Sequence, residues 1–178
     1  MRRRGFSIAE MLAAVVVVAI ASLVFIGHSS SVDDGIRLEV AVSEVAHALR
    51  FARGEALRTN AYFGIRIDSS AQRIRVYRLD TSASPPVEEN DVYHPVDKKL
   101  YDLELANSSF TRESSITGVA FRFGGDLTAY ESVAFDAQGT PVSPVDLTLM
   151  DEGRVDLSFR GRVAIVTLTP LTGRVSIQ

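Results

Sequence analysis

The chain is 178 residues long, 46% hydrophobic and 23% charged, a balance that excludes a disordered chain and a multi-span membrane protein and allows one domain of ordinary size. It contains no cysteine, which excludes disulfides, thiolate metal sites and thiol nucleophiles. A formal net charge of -3 supplies no global attraction to nucleic acid or anionic lipid.

The first element is an apolar helix. Between Met11 and Ile26 only Ser22 is not apolar. The segment from Phe6 to Gly27, as a helix rising ~1.5 Å per residue, reaches about 33 Å, enough for a hydrocarbon core of about 30 Å. Arg2, Arg3 and Arg4 precede it and no Lys or Arg follows until Arg37, so the N-terminus is expected to stay cytoplasmic while the rest is exported. A secretory signal peptide is the rival reading, with Ala19-Ile20-Ala21 as a small-x-small cleavage site. Two features weigh against it. The apolar run continues through Leu23-Val24-Phe25-Ile26, and a carboxylate, Glu10, sits near its start.

The string Arg4-Gly5-Phe6-Ser7-Ile8-Ala9-Glu10-Met11-Leu12 resembles the cleavage and methylation signal of type IV prepilins and type II secretion pseudopilins. The resemblance implies removal of residues 1–5 by prepilin peptidase between Gly5 and Phe6. It also implies N-methylation of Phe6 and an assembly role for Glu10 as the fifth mature residue. Physical chemistry agrees with that pattern. Glycine leaves the backbone before the scissile bond open to a protease. A carboxylate in a bilayer costs roughly 2.5 kcal/mol or more, so Glu10 needs a partner, and the cut creates one in the Phe6 amine of its own chain or a neighbour.

After the apolar run, His28-Ser29-Ser30-Ser31-Val32-Asp33-Asp34-Gly35 predicts a bend or break in the helix. Helical periodicity resumes in Leu38, Val42, Val45, Leu49, Ala52 and Ala56, one apolar stripe suited to packing on a sheet or on a partner helix. From Asn60 the period becomes two. Phe63-Ile65-Ile67 and Ile74-Val76 predict two strands with a hairpin turn at Asp68–Gln72. Further strands are expected at 103–105, 119–123, 133–135, 147–149, 155–159, 163–168 and 175–177, with Gly and Pro between them. The acid- and Pro-rich run from Thr81 to Lys99 reads as an extended surface loop. The spacing predicts an antiparallel sandwich or paired sheets.

Three later landmarks extend the resemblance: Ala48-Leu49-Arg50-Phe51-Ala52-Arg53-Gly54-Glu55-Ala56, then Phe135-Asp136-Ala137-Gln138-Gly139-Thr140-Pro141, then Thr169-Pro170-Leu171-Thr172-Gly173-Arg174-Val175. Their order is similar to that of the GspH/FimT family of minor pseudopilins and minor pilins. The fold this implies is α+β and pilin-like, a long N-terminal helix on a β-rich head of two antiparallel sheets. The expected organisation is a leader at 1–5, a transmembrane helix at 6–27, an amphipathic periplasmic helix at 28–60 and the head at 61–178.

Catalytic patterns are absent from the sequence. His28, His47 and His94 have no ligand-like spacing, no phosphate loop or nucleophile elbow occurs, and Gly124-Gly125-Asp126 reads as a turn. Asp33-Asp34 and Glu88-Glu89-Asn90-Asp91 carry oxygen ligands without an EF-hand pattern and read as solvated charge. No enzyme, cofactor or metal is expected. DNA binding would need a basic patch near the C-terminus, but beyond Gly139 the arginines 154, 160, 162 and 174 are matched by Asp146, Asp151, Glu152 and Asp156. The resemblance implies a minor pseudopilin of a type II secretion system near the tip of a periplasmic pseudopilus. Its partners are other pseudopilins, prepilin peptidase and the inner-membrane assembly platform, and its head is periplasmic. Two alternatives stand beside it: a minor pilin of a type IV pilus, one that handles DNA, and a single-span anchored binding protein that never polymerises.

Overall fold

The computed structural model describes residues 8–108, 111 and 113–178, with the side chains of Glu10 and residues 19–34 outside the description. It divides into two compact units, Met1–Ile36 and Arg37–Gln178. Helix α1 is assigned from Ile8 to Thr59. Contrary to the expected break, helical backbone continues through residues 28–35. The physical reason is modest propensity: Ser and Asp in a helix cost only a few tenths of a kcal/mol each and Gly about 1.

Among the described residues of the second unit, ten strands follow the helix: β1 (Tyr62–Asp68), β2 (Arg73–Asp80), β3 (Val87–Glu89), β4 (Asp102–Glu104), β5 (Ser115–Phe123), β6 (Ser132–Phe135), β7 (Pro141–Val142), β8 (Met150–Phe159), β9 (Arg162–Leu168) and β10 (Val175–Ile177). One sheet has the order β3-β2-β1-β6-β7, with β4 also on β2, and the other the order β10-β9-β8-β5. Every strand pair is antiparallel. This is the α+β arrangement of one long helix and two antiparallel sheets.

A single apolar cluster joins the helix to both sheets. Leu38, Val42, Val45, Leu49, Ala52 and Ala56 are all buried, as the stripe predicts, and Ala41, Ala46 and Ala48 are buried beside them. The stripe is broader than a single-sheet contact needs. Small residues flank the larger ones and let the helix meet Ile65, Ile74 and Phe135 of the first sheet and Phe121, Leu157 and Leu168 of the second. Each large side chain buried this way contributes roughly 1.5–3 kcal/mol.

Two further expectations need correction. Residues 147–149 do not form a strand. Leu147 sits at φ 62 in a turn closed by its own amide on the Ser143 carbonyl and by the Ser143 amide on the Thr148 carbonyl. Their alternating apolar pattern has another cause: Leu147 packs on a second, smaller core, and Leu149 makes an isolated bridge to Val142. The run from Thr81 to Lys99 is more than a surface loop. It contains β3, paired with β2, and buries Val92, and just beyond it Tyr101 lies 5.1 Å from the Phe51 ring.

The second core lies on the outer face of the first sheet, where Tyr77 is buried with Leu79, Ala134 and Val142. Tyr77 is cross-strand from Gly64, and Gly64 is cross-strand from Ala134. A Cβ on Gly64 would run into the Tyr77 ring, so this row of the sheet is flat enough for an aromatic to lie across it.

One polar side chain ties the two sheets together. Gln72, at the end of the β1–β2 turn, donates from Nε2 to the Ile116 carbonyl at 3.0 Å and accepts at Oε1 from the Ile116 amide at 2.6 Å. It therefore acts as a one-residue strand partner for β5. Gln72→Leu keeps the size but leaves both Ile116 groups unpaired, so unfolding free energy is expected to fall by about 2 kcal/mol. Urea denaturation of the two proteins measures this, with Gln72→Glu intermediate because one acceptor survives.

Candidate functional site

Of the residues expected to act in processing and assembly, Gly5 and Phe6 lie outside the described residues. Glu10 lies on α1, and its side chain is not described. What surrounds it is described. Ile8, Met11, Leu12, Val15, Val16, Val17 and Val18 are each more than half exposed. So much exposed apolar surface on one stretch of helix is the kind that lipid or other helices cover. Among the described residues, no helix is long and apolar enough to cross a membrane; the larger part of the 6–27 run lies outside the described side chains.

The three landmark segments in the head converge on one place. Arg53, on the exposed flank of the helix stripe, donates from Nε to the Gly139 carbonyl at 3.2 Å, and Arg50 reaches the Val175 carbonyl at 3.4 Å. Gly139 and Gly173 both have positive φ, at 75° and 59°. A Cβ on Gly173 would collide with the Gly139 carbonyl oxygen and meet Arg53 Nε at 2.9 Å. Asp136 shapes the first loop by accepting from the amides of Gln138 at 2.9 Å and Thr140 at 2.7 Å. The second loop closes through the Gly173 amide on the Thr169 carbonyl at 3.0 Å. One loop belongs to each sheet, so Arg53 and the two glycines fasten both sheets to the helix. The chemistry here is positioning: the Arg53 guanidinium is bonded to the Gly139 carbonyl and that of Arg50 reaches the Val175 carbonyl.

Charged side chains elsewhere form ion pairs. Arg66 holds Glu88 at 2.6 Å, and Arg78 reaches Glu89 and Asp91, the latter at 3.3 Å. The acidic run 88–91 is therefore a set of partners for β1 and β2 arginines. Asp102 receives Arg73 at 2.6 Å and Arg75 at 3.2 Å. Partial burial works against ionisation of Asp102, but the Arg73 hydrogen bond and the charges of Arg75 and Arg73 outweigh it and hold the carboxyl below its ordinary 3.8. A carboxyl depressed in the folded state stabilises the protein above its unfolded value, and that contribution disappears as pH falls through the lower folded value. Asp102→Asn is thus expected to lower stability at neutral pH and to flatten the acid limb below pH 3.8, as read by circular dichroism during acid titration.

His47 and His94 do not converge. His47 is exposed, and His94 stacks edge-on against Tyr101 at 4.8 Å with Asp97 at 3.3 Å; the side chain of His28 is not described. Burial, helped by Glu44, pushes the Tyr101 phenol up to about 12. Among the described residues, no group of three or more His, Cys, Asp or Glu is placed to hold a metal ion. At the β8–β9 turn, Arg160 is tied to Glu113 at 3.1 Å and lies 5.3 Å from the Phe159 ring centroid. Sequence reasoning missed the Gln72 clamp and the Tyr77–Gly64 contact. The only signals available were a Gln at the end of a hairpin turn and a Gly inside a strand, and both become legible only with the pairing register known.

Comparison with known proteins returns one family. The profile described as "Type II transport protein GspH" matches residues 41–170. No curated protein matches the chain in sequence. Solved structures that share the fold include a minor pseudopilin and a minor pilin. The minor pseudopilin EpsH from the type 2 secretion system of Vibrio cholerae is 14% identical, covers 80% of this chain and 96% of its own, and superposes with a TM-score of 0.51. The type IV minor pilin FimU of Pseudomonas aeruginosa is 16% identical, with 79% and 87% covered and a TM-score of 0.50.

Proposed function

Because the chain belongs to the GspH family of type II transport proteins, we propose that it is a minor pseudopilin of a type II secretion system. Prepilin peptidase removes residues 1–5, Phe6 becomes the N-methylated terminus, and the helix from Phe6 to Gly27 holds the protein in the inner membrane with the head in the periplasm. The assembly platform then draws it into a short filament with other pseudopilins, where Glu10 pairs with the Phe6 amine of a neighbour. The family match over residues 41–170 carries this reading. Near-balanced charge beyond Gly139 supports the choice of secretion over DNA handling.

The likeness in fold to the minor pilin FimU keeps a second reading in view, a type IV minor pilin. Deleting the gene separates the two. Loss of protein export with pili intact is the expected result, restored by the intact gene on a plasmid. Loss of pili with export unchanged would reverse the assignment. A DNA shift assay adds an independent measure: with so few uncompensated arginines, any shift should vanish by about 200 mM salt.

A further inference from the structure

Lys98 and Lys99 are the only lysines in the chain, and both sit at the tip of a short hairpin. Tyr93 and Leu100 pair across it. The turn closes through the His94 amide on the Lys99 carbonyl at 2.7 Å and the Lys98 amide on the His94 carbonyl at 3.1 Å. Its inner face is anchored. Val92 and Tyr101 are buried, the Tyr101 ring touches both Phe51 and His94, and the Val76 amide bonds to the Tyr101 carbonyl at 3.0 Å. The outer face is apolar where a solvent-facing ribbon is ordinarily polar. Tyr93 is 58% exposed, Val96 82% and Leu100 50%. Single exposed apolar residues are ordinary, but three on one anchored turn make a patch. The patch adjoins a cavity of about 370 Å³, lined by Tyr93, Pro95 and Lys98 of the hairpin and by Phe51 and Glu55 of α1.

Charge decides what fits there. The other charged groups of the cavity lining are already matched, Glu55 with Arg58 at 2.6 Å and Arg78 with Asp91 at 3.3 Å. Among the described residues, the side chains of Lys98 and Lys99 make no hydrogen bond or ion pair, whereas every arginine of β1 and β2 has a carboxylate. Asp97, on the same turn, is engaged elsewhere. It accepts from the Lys99 amide at 3.2 Å and lies 3.3 Å from His94 Nδ1. We propose that the hairpin and its cavity dock a neighbouring filament subunit of different sequence, one that presents an Asp or Glu carboxylate beside an apolar side chain. The carboxylate meets Lys98, with Lys99 next to it, and the apolar side chain enters the cavity against Phe51 and Tyr93.

An ammonium at the rim of an apolar cavity attracts a carboxylate more strongly than one on open surface, because the cavity wall and the partner exclude water. Each copy makes one such contact, so a subunit present in few copies can use it. A lipid surface fits less well. Lipid-binding basic segments carry about four to eight cations, and here two lysines stand beside Asp97 and the acids of β3. A flat headgroup layer would also leave the cavity unfilled. The inference deepens the proposed function, on which it rests for the partner being a pilin-like subunit.

Two cross-linking measurements on full-length protein in its own membranes test this. With photoreactive p-benzoylphenylalanine in place of Val96, illumination should capture another chain that mass spectrometry identifies as a pilin-like subunit. The same probe in place of Val163, on the other sheet, should not capture it. Lys98→Glu with Lys99→Glu should lower the Val96 adduct at least about fivefold, the scale of one ion pair; both side chains are exposed, so the fold is unaffected. Carbodiimide, which joins an amine to a carboxylate at zero length, should link Lys98 or Lys99 to an Asp or Glu of the same partner. Lys98→Arg with Lys99→Arg should abolish that link and keep the Val96 adduct. Capture of a second copy of this chain, of lipid or of nothing, or an adduct indifferent to the charge reversal, would each overturn the proposal. The function is judged separately. Export lost on deletion while Val96 captures nothing refutes the docking surface alone, and pili lost on deletion while Val96 captures a pilus subunit reassigns the function alone.

Discussion

Changing Gly5 to Glu should leave the whole chain uncut, seen as a single slower band on an immunoblot of membranes, with export falling to the level of the deletion strain. The proposed cut falls between Gly5 and Phe6. A side chain at that point crowds the backbone that the peptidase must reach, and a charge next to the apolar run also resists placement at the membrane surface. Without the cut there is no Phe6 amine, and Glu10 keeps the cost of an unpaired carboxylate in lipid. Glu10→Ala separates the two steps. That chain should be cut normally and carry a free Phe6 terminus, yet enter the filament poorly. If it is incorporated at the normal rate, the pairing of Glu10 with the neighbouring amine is wrong. An anchored binding protein that never polymerises would be indifferent to both changes.

The second large effect belongs to the head. Gly173→Ala should destabilise it by about 2–4 kcal/mol, the sum of a side chain forced to positive φ and an overlap that the backbone must relieve. Both causes are local: φ at this position is 59°, and the new methyl would meet the Gly139 carbonyl oxygen and the Arg53 side chain. Neither a carbonyl nor a guanidinium bonded to it can step aside without opening the link between helix and sheets. The same change at Gly161, where φ is 82° but nothing lies within 4 Å, should cost only the backbone strain, about 1–2 kcal/mol. Thermal melts of the two variants give the comparison, and equal losses would show that the junction contributes nothing of its own.

The architecture was legible wherever a period ran long enough. The stripe from Leu38 to Ala56 and the alternation around Ile65 and Ile74 each bury one face of a regular element, and simple spacing found them. Two short elements escaped for a physical reason, while the equally short β4 and β10 were found at 103–105 and 175–177. β3 and β7 are held mainly by backbone pairing to neighbours already in place, and such pairing leaves no periodic trace. Leu147 misled because its burial comes from a turn folded over Tyr77 and not from a strand. At the junction, Gly139 and Gly173 stood out as punctuation in the sequence, but their shared contact with Arg53 spans the fold and has no local signature. The proposed processing signal is the reverse case. It is legible from Gly5, Phe6 and Glu10 as a string, because the peptidase proposed to cut it would meet it as a string.

The two sheets differ in a way that bears on how the head opens. β1, β2 and β6 are covered on both faces, by the helix side within and by the Tyr77 cluster without, whereas β8 and β9 alternate between buried and exposed residues. Amide protons of Ile65, Val76 and Ala134 can therefore reach water only when the whole head unfolds, and should exchange slowest of all. Those at the outer end of β9 should exchange through brief local fraying. The most durable part of the head is then the first sheet, covered on both faces, and the outer strands of the second sheet open before it.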